Sequence, residues 1–160
     1  MSSARRWTLL PKAPQSRERS SGQLPAYLAM CRQFGVSTIV YNPLAGGLLT
    51  GKHRQETITP GTRFDDNKLY QDRYWHERYF KAVEELREIA RRAGRSLVSL
   101  ALNWLLRHTA SDVVILGASS LTQLNENLAA AEEGPMDEGT LNACDQVWRD
   151  LRGPLPVYNR

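Results

Sequence analysis

Two short stretches of the chain carry residues at spacings that suit chemistry. Gly46-Gly-Leu-Leu-Thr-Gly51-Lys52 has the GxxxxGK spacing of a phosphate-cradling loop. Glycines let backbone N–H groups approach an anion closely, and the lysine supplies a point charge. The match stops at His53, which stands where a hydroxyl would meet Mg²⁺. The residues after it, Arg54-Gln-Glu-Thr-Ile-Thr-Pro60-Gly61, read as loop where a phosphate loop needs a helix. What remains is either a plain glycine-rich turn or a close-approach surface for a ligand, with Lys52 as its cation. The second stretch is Gly117-Ala-Ser-Ser120 followed by Leu121-Thr-Gln123-Leu-Asn-Glu126-Asn127. Ser120-x-x-Gln123 fits a capping box. Gln123, Glu126 and Asn127 share one helix face, which leaves Leu121, Leu124 and Leu128 for the face expected to be buried. A glycine-opened helix start after a strand suits an anion, and a hydrogen-bonding stripe beside it suits adenosine. Taken singly, such a stripe is also what a solvated face looks like.

The elements that would position these residues follow from periodicity. Tyr27, Leu28, Cys31 and Phe34 have helical spacing over Leu24–Phe34, and Gly35 stops that helix. Val36–Tyr41 is β-branched and reads as a short buried strand. Asn42 to about Asn67 reads as loop. Trp75–Ala93 is an amphipathic helix with Tyr79, Val83, Leu86 and Ala90 on one face, ended by Gly94. Ser96 caps a helix with a wide apolar face of Leu97, Leu100, Ala101, Trp104 and Leu105. Val113–Leu116 is a second buried strand, followed by helices from Leu121 to about Ala131 and from about Asp137 to Arg152. Apolar strands alternating with helices predict a parallel sheet covered on both faces. Two parallel strands do not make a stable sheet alone, so the body reads as a segment of a larger α/β fold.

Charge and composition narrow the partners. The 160 residues carry 21 Lys+Arg against 17 Asp+Glu, a net charge of +4. Residues 1–22 hold Arg5, Arg6, Lys12, Arg17 and Arg19 against Glu18, so this segment carries the whole excess and the remainder balances. Ser-rich, with Pro11 and Pro14, it reads as a disordered basic tail. Its composition also resembles a transit peptide, although the prolines interrupt an amphipathic helix. No aromatic interleaving supports nucleic-acid binding. No run approaches a membrane span. Cys31 and Cys144 form no CxxC, and His76-Glu-Arg-Tyr-Phe80 lacks the second histidine of a zinc helix, so no metal site is expected. His53 and His108 read as exposed loop and helix-end residues.

Together the spaced motifs resemble a family. Tyr41-Asn-Pro-Leu-Ala-Gly-Gly-Leu-Leu-Thr-Gly-Lys52 is similar to the segment from barrel strand seven of the aldo-keto reductases. Ile115-Leu-Gly-Ala-Ser-Ser-Leu-Thr-Gln-Leu-Asn-Glu-Asn-Leu128 is similar to their strand eight and cofactor helix. Tyr70-Gln-Asp-Arg-Tyr-Trp75, Glu132-Glu-Gly-Pro135 and Tyr158-Asn-Arg160 narrow the resemblance to the branch containing aflatoxin-aldehyde reductases. It covers about Leu24 to Arg160 and leaves out the first 22 residues.

The resemblance implies an α/β fold, the last strands and helices of a TIM (β/α)8 barrel. The division expected is 1–22 as tail and 23–160 as the C-terminal part of an NADP-dependent oxidoreductase domain. Asn42, Pro43, Leu44, Ala45, Gly46 and Lys52 would line the nicotinamide cofactor NADP(H), and Arg63 would reach its phosphates. Gly117, Ser119, Gln123, Glu126 and Asn127 would hold the adenosine and 2′-phosphate end. Tyr70, Arg73 and Arg160 resemble positions that meet a small aldehyde or ketone substrate. In the family a Tyr acts as general acid, tuned by a Lys and an Asp, with a His orienting the carbonyl. Those four lie in the first half of the barrel, and nothing in this sequence resembles them. The expectations are a truncated or split reductase, cytoplasmic and inactive alone, or a non-catalytic remnant. The remnant would bind a dinucleotide, a second copy or a complementing N-terminal half.

Overall fold

The computed structural model describes residues 5–6, 30–31, 33–109 and 111–152. Three short parallel strands form one sheet, in the order β1 (Arg5–Arg6), β2 (Ile39–Tyr41), β3 (Val113–Ile115). Val40 pairs with Val114 and Tyr41 with Ile115. β2 and β3 fall inside the two apolar runs expected to be strands. β1 falls in the stretch read as a tail, with Arg5 beside Val40 and Arg6 beside Tyr41. Ladder bonds use backbone groups, so no apolar run announces it. Most of the helix expected over Leu24–Phe34 lies outside the described residues. Its end is described: Phe34 N donates to Met30 O at 3.0 Å, Val36 N donates to Cys31 O at 2.7 Å, and Gly35 sits at φ 62°. That is the left-handed stop expected of a glycine there.

Five helices follow: α1 (Lys68–Tyr74), α2 (Glu77–Arg92), α3 (Leu97–His108), α4 (Leu121–Glu132) and α5 (Glu138–Arg152). Side-chain caps start four of them. Asn67 accepts from Tyr70 N, Ser96 from Ser99 N, Ser120 from Gln123 N and Asp137 from Thr140 N, each satisfying a donor the helix leaves free. α2 buries Ala82, Val83, Leu86, Ile89 and Ala90 against α5 and α3. α3 is buried almost all round, from Leu97 to Leu105, and Trp104 is the largest fully buried side chain. Leu48, Leu49 and Phe64 close the core from the long loop after β2. Among the described residues no helix is long and apolar enough to cross a membrane, and no cluster of His, Cys, Asp and Glu is suited to hold a metal ion.

Two expectations about burial need correction. Among the described residues the sheet is covered on one face rather than both. Val40 and Val114 pack into the helical core, whereas Val113 and Ile115 on the opposite face are exposed, Ile115 at 53%. The leucines of α4 are the second correction. Leu121, Leu124 and Leu128 are exposed, Leu121 at 72%, and Asn127 from the expected polar stripe is buried instead. The reason is how α4 sits on α3. It docks through Asn127 and Ala130, and a polar clamp holds its C-terminal end. Arg95 Nη1 meets Glu133 Oε2 at 2.6 Å, and Ser99 Oγ donates to the same oxygen at 2.5 Å. Asn103 Nδ2 donates to the carbonyls of Glu133 and Gly134, and Arg107 Nε to that of Glu133. Ser99, Asn103 and Arg107 recur every four positions on α3, with Arg95 just before its cap, so one stripe satisfies the carbonyls at the end of α4.

Candidate cofactor site at the strand ends

The loop after β2 is built around backbone that few residues adopt. Asn42 sits at φ 61° and Ala45 at φ 53°, with Gly46 and Gly47 following at φ 72° and 100°. Asparagine tolerates the left-handed region because its amide bonds locally. Here Asn42 Oδ1 accepts from Gly46 N at 2.7 Å, and Nδ2 donates to Tyr74 Oη at 2.9 Å. The 3-10 turn Ala45–Thr50 is thereby tied to α1. Pro43 and Ala45 are buried, and Leu44 is half-buried, so these three shape the turn from beneath.

Around that turn the structure gathers several residues singled out in the sequence. A Cβ on Gly46 would lie 2.9 Å from Cδ1 of Tyr70, so the ring occupies the space glycine leaves. Arg63 lies with its guanidinium 5.6 Å from the Tyr70 ring centre, and its Nη1 donates to Tyr70 Oη at 3.4 Å. Lys52 is exposed at the far end of the turn, and Arg87 Nη2 holds the Gly51 carbonyl at 2.6 Å. Arg73 sits three residues from Tyr70 on α1, half-buried, with Nη1 buried and lacking a hydrogen-bond partner. Arg160 lies outside the described residues. Gly46→Ala is expected to push Tyr70 off the turn, because its Cβ would clash and φ 72° disfavours alanine. The measurement is a loss of stability of about 1–2 kcal/mol together with a changed tyrosine near-ultraviolet dichroism. An unchanged spectrum would show that the ring is not seated on Gly46.

The second half of the site follows β3. Ser119 donates through both N and Oγ to Gln123 Oε1, at 3.0 and 2.9 Å. Ser120 Oγ accepts from Gln123 N at 3.2 Å. The expected capping box is thus shared: Ser120 caps the helix, and the Gln123 side chain reaches back to Ser119. Asn127 Nδ2 donates to Gly117 O at 3.5 Å, holding the turn on the buried side. Glu126 is exposed. Tyr41 and Ile115 are register partners, so both halves open at the same end of the sheet, the C-terminal ends of adjacent parallel strands. Among the described residues no hydrogen bond joins one half to the other.

The histidines differ from expectation. His53 is only 4% exposed, with Phe64 and Trp75 packed against its ring edge to face at 4.9 and 5.8 Å. Burial, then the neighbouring Lys52 charge, holds its pKa below the usual histidine value. His108 is half-buried, and its Nε2 accepts from Met136 N at 3.4 Å. Burial is the larger cause that lowers its pKa also. The aromatic cluster that buries His53 is assembled from α1 and the long loop, and nothing local to His53 foretells it.

The comparisons with known proteins agree with this geometry. The sequence pattern of the Aldo/keto reductase family matches residues 20–149. The chain is 40% identical over 154 residues to aflatoxin B1 aldehyde reductase member 2 of Rattus norvegicus, covering 86% of this chain and 42% of that protein. Against the Homo sapiens protein of the same name it is 40% identical over 144 residues, 81% of this chain and 40% of the relative. The chain therefore spans less than half the length of the curated relatives it matches. In structure it is similar to a glycerol dehydrogenase of Gluconobacter oxydans, with a TM-score of 0.64 at 21% identity, covering 83% of this chain and 41% of the other. An aldo-keto reductase of Bacillus halodurans matches with a TM-score of 0.51 at 26% identity, over 76% of this chain and 37% of the other. The small parallel sheet with its helices is part of a TIM barrel, and the sheet face that carries Val113 and Ile115 is the one such a barrel turns inward. The chain belongs to the aldo/keto reductase family, as a partial member of the branch that contains the aflatoxin aldehyde reductases.

Proposed function

We propose that this chain supplies the NADP(H)-binding part of an oxidoreductase that reduces aldehydes or ketones to alcohols. The observation that carries the reading is the pair of turns at the ends of β2 and β3, with Lys52 and Arg63 beside the first. The residues fit the cofactor. Gly46 and Gly47 let the Tyr70, His53 and Lys52 side chains approach the turn closely, Arg73 Nη1 is buried without a partner, and Ser119 and Gln123 are exposed at the start of a twelve-residue helix. In this reading the Gly46–Lys52 turn, Lys52 and Arg63 hold phosphates, and two cations suit NADP(H) over NAD(H). Gly117, Ser119, Gln123, Glu126 and Asn127 frame the adenosine end. The cofactor, when bound, supplies hydride to the carbonyl carbon. Tyr70 and Arg73 face the substrate, and the buried, unpaired Arg73 nitrogen favours a carbonyl or carboxylate oxygen there.

Titration of NADPH and NADH into the chain, followed by nicotinamide fluorescence, tests this reading. NADPH is expected to bind more tightly than NADH, and weakly in absolute terms, because one part of a cleft cannot desolvate the whole cofactor. Changing Lys52→Met and Arg63→Met together is expected to weaken NADPH binding about tenfold or more, with circular dichroism unchanged because both side chains are exposed. Equal affinity of the double variant and the parent would refute the assignment.

A second reading is favoured by apolar side chains exposed among the described residues, Val113 and Ile115 on the sheet and Leu121, Leu124 and Leu128 on α4. In it the chain works only when another polypeptide covers the sheet face.

A further inference from the structure

His53 is a polar side chain without a polar partner. Neither Nδ1 nor Nε2 makes a hydrogen bond, and both are buried. Leaving such groups unsatisfied is costly, and native proteins rarely do so without a reason. An apolar ring would pack between Phe64 and Trp75 at least as well. The direction of the imidazole supplies the reason. Nε2 lies 3.5 Å from the point where a side chain at Gly47 would begin, and Lys52 Cε lies 4.0 Å from the same point. Gly47, at φ 100°, has no side chain of its own on that face of the turn. The His53 ring and the Lys52 stem, two nitrogen-bearing side chains, therefore meet in the space it leaves.

We infer that His53 is a ligand of the phosphate-bearing cofactor at the Gly46–Lys52 turn, and that it takes up one proton from solvent when the phosphate binds. This rests on the cofactor reading above and adds to it a residue and a pH dependence. In the free chain Nε2 is buried beside Gly47 and the Lys52 stem. A phosphate held by the Lys52 ammonium at that place would accept from protonated Nε2.

The charges around the ring are of both signs. Lys52 and Arg54 flank it in the chain, and Phe64 and Trp75 bring no charge. Glu56 and, on α2, Glu77, Lys81, Glu84 and Glu85 share with His53 a shallow groove of about 420 Å³ on its outer side. Burial and Lys52 nevertheless keep the free imidazole neutral at neutral pH. A bound dianion reverses the sign of the nearest charge and raises the histidine pKa. Affinity is then greatest below the free-state pKa and falls as pH rises through the bound-state pKa.

The test is a pH titration of the His53 ring by ¹⁵N-resolved NMR on the full chain, free and with NADPH, binding being monitored separately by fluorescence. The expected result is a pKa about one unit or more higher in the complex. His53→Phe keeps the ring packing and is expected to lose most of the gain in affinity between about pH 8 and about pH 6. The same ligand is used for both chains, so titration of its own phosphate cancels. NADPH bound with an unchanged His53 pKa overturns this inference alone. A parent and variant with the same pH dependence overturn it too. No binding of NADPH at all overturns the cofactor reading, and this inference with it.

Discussion

Trp104→Ala is expected to cost the chain a large part of its stability. The indole is fully buried in the middle of α3, and its Nε1 donates to Asp145 Oδ1 on α5 at 3.1 Å. Removing a buried aromatic costs about 3–5 kcal/mol, a large part of the roughly 5–15 kcal/mol that holds a domain together. The lost hydrogen bond adds to this. Burial already pushes the Asp145 carboxyl above its usual pKa, against the indole, Arg149 and His108, which favour its charge. Trp104→Phe separates the two effects. It keeps most of the packing, strands the carboxylate, and is expected to cost about 1–3 kcal/mol. A raised carboxyl pKa favours the folded state below the unfolded pKa and loses that benefit as pH rises through the folded pKa. The Phe variant should therefore recover relative to the parent as pH is lowered. Urea unfolding of all three chains at two pH values checks this, and equal midpoints for parent and Trp104→Ala would show that α3 and α5 do not depend on the indole.

The second large effect is on turnover. The 160-residue chain is expected to oxidise no NADPH in the presence of aldehydes, even where it binds the cofactor. General acid catalysis alone is worth about 10²–10⁴ in rate, and the lysine–carboxylate pair nearest Tyr70 in the chain, Lys68 with Asp72, is exposed and bonded to itself, while the Tyr70 hydroxyl accepts from Arg63. Tyr74 is buried, with its hydroxyl accepting from Asn42, and Tyr70 lies over Gly46 with Arg63. Measured turnover that is abolished by Tyr41→Phe, Tyr70→Phe or Tyr74→Phe would show that the chain carries its own acid.

Where local chemistry decides an element, it could be read in advance. Gly35 and Gly94 end helices at φ 62° and 65°, and Ser96 and Ser120 cap them, because caps and left-handed turns are set by one or two residues. The apolar stripe of α2 was equally legible from its period. α1 was missed because seven residues hold too little pattern, and its start depends on a single Asn67 cap. Burial was misread wherever it depends on distant chain. Continuous apolar strands and a leucine stripe on α4 describe the environment of a whole barrel. The described residues cover only one side of the sheet, so Val113, Ile115 and the leucines are left at the surface. In the candidate site, Lys52, Arg63 and Tyr70 were singled out through the family resemblance, and the structure brings Arg63 and Tyr70 onto the glycine turn. His53 carried no motif, and only the cage of Phe64 and Trp75 distinguishes it from an ordinary loop histidine.

The way α4 is held has a mechanical consequence. Its first six residues are all exposed, and its anchoring lies near the far end, in Asn127, Ala130 and the carbonyls gripped by Asn103 and Arg107. Such a helix is a lever pivoted at its base. Twelve residues make an arm of about 18 Å, so a tilt of about 5° at the pivot swings the tip by roughly 1.5 Å. That swing is about half a hydrogen-bond length, enough to make or break a bond from Ser119 or Gln123. The precision of the tip is therefore set at the other end of the arm, by Arg95 and three side chains of α3 that bind only that end.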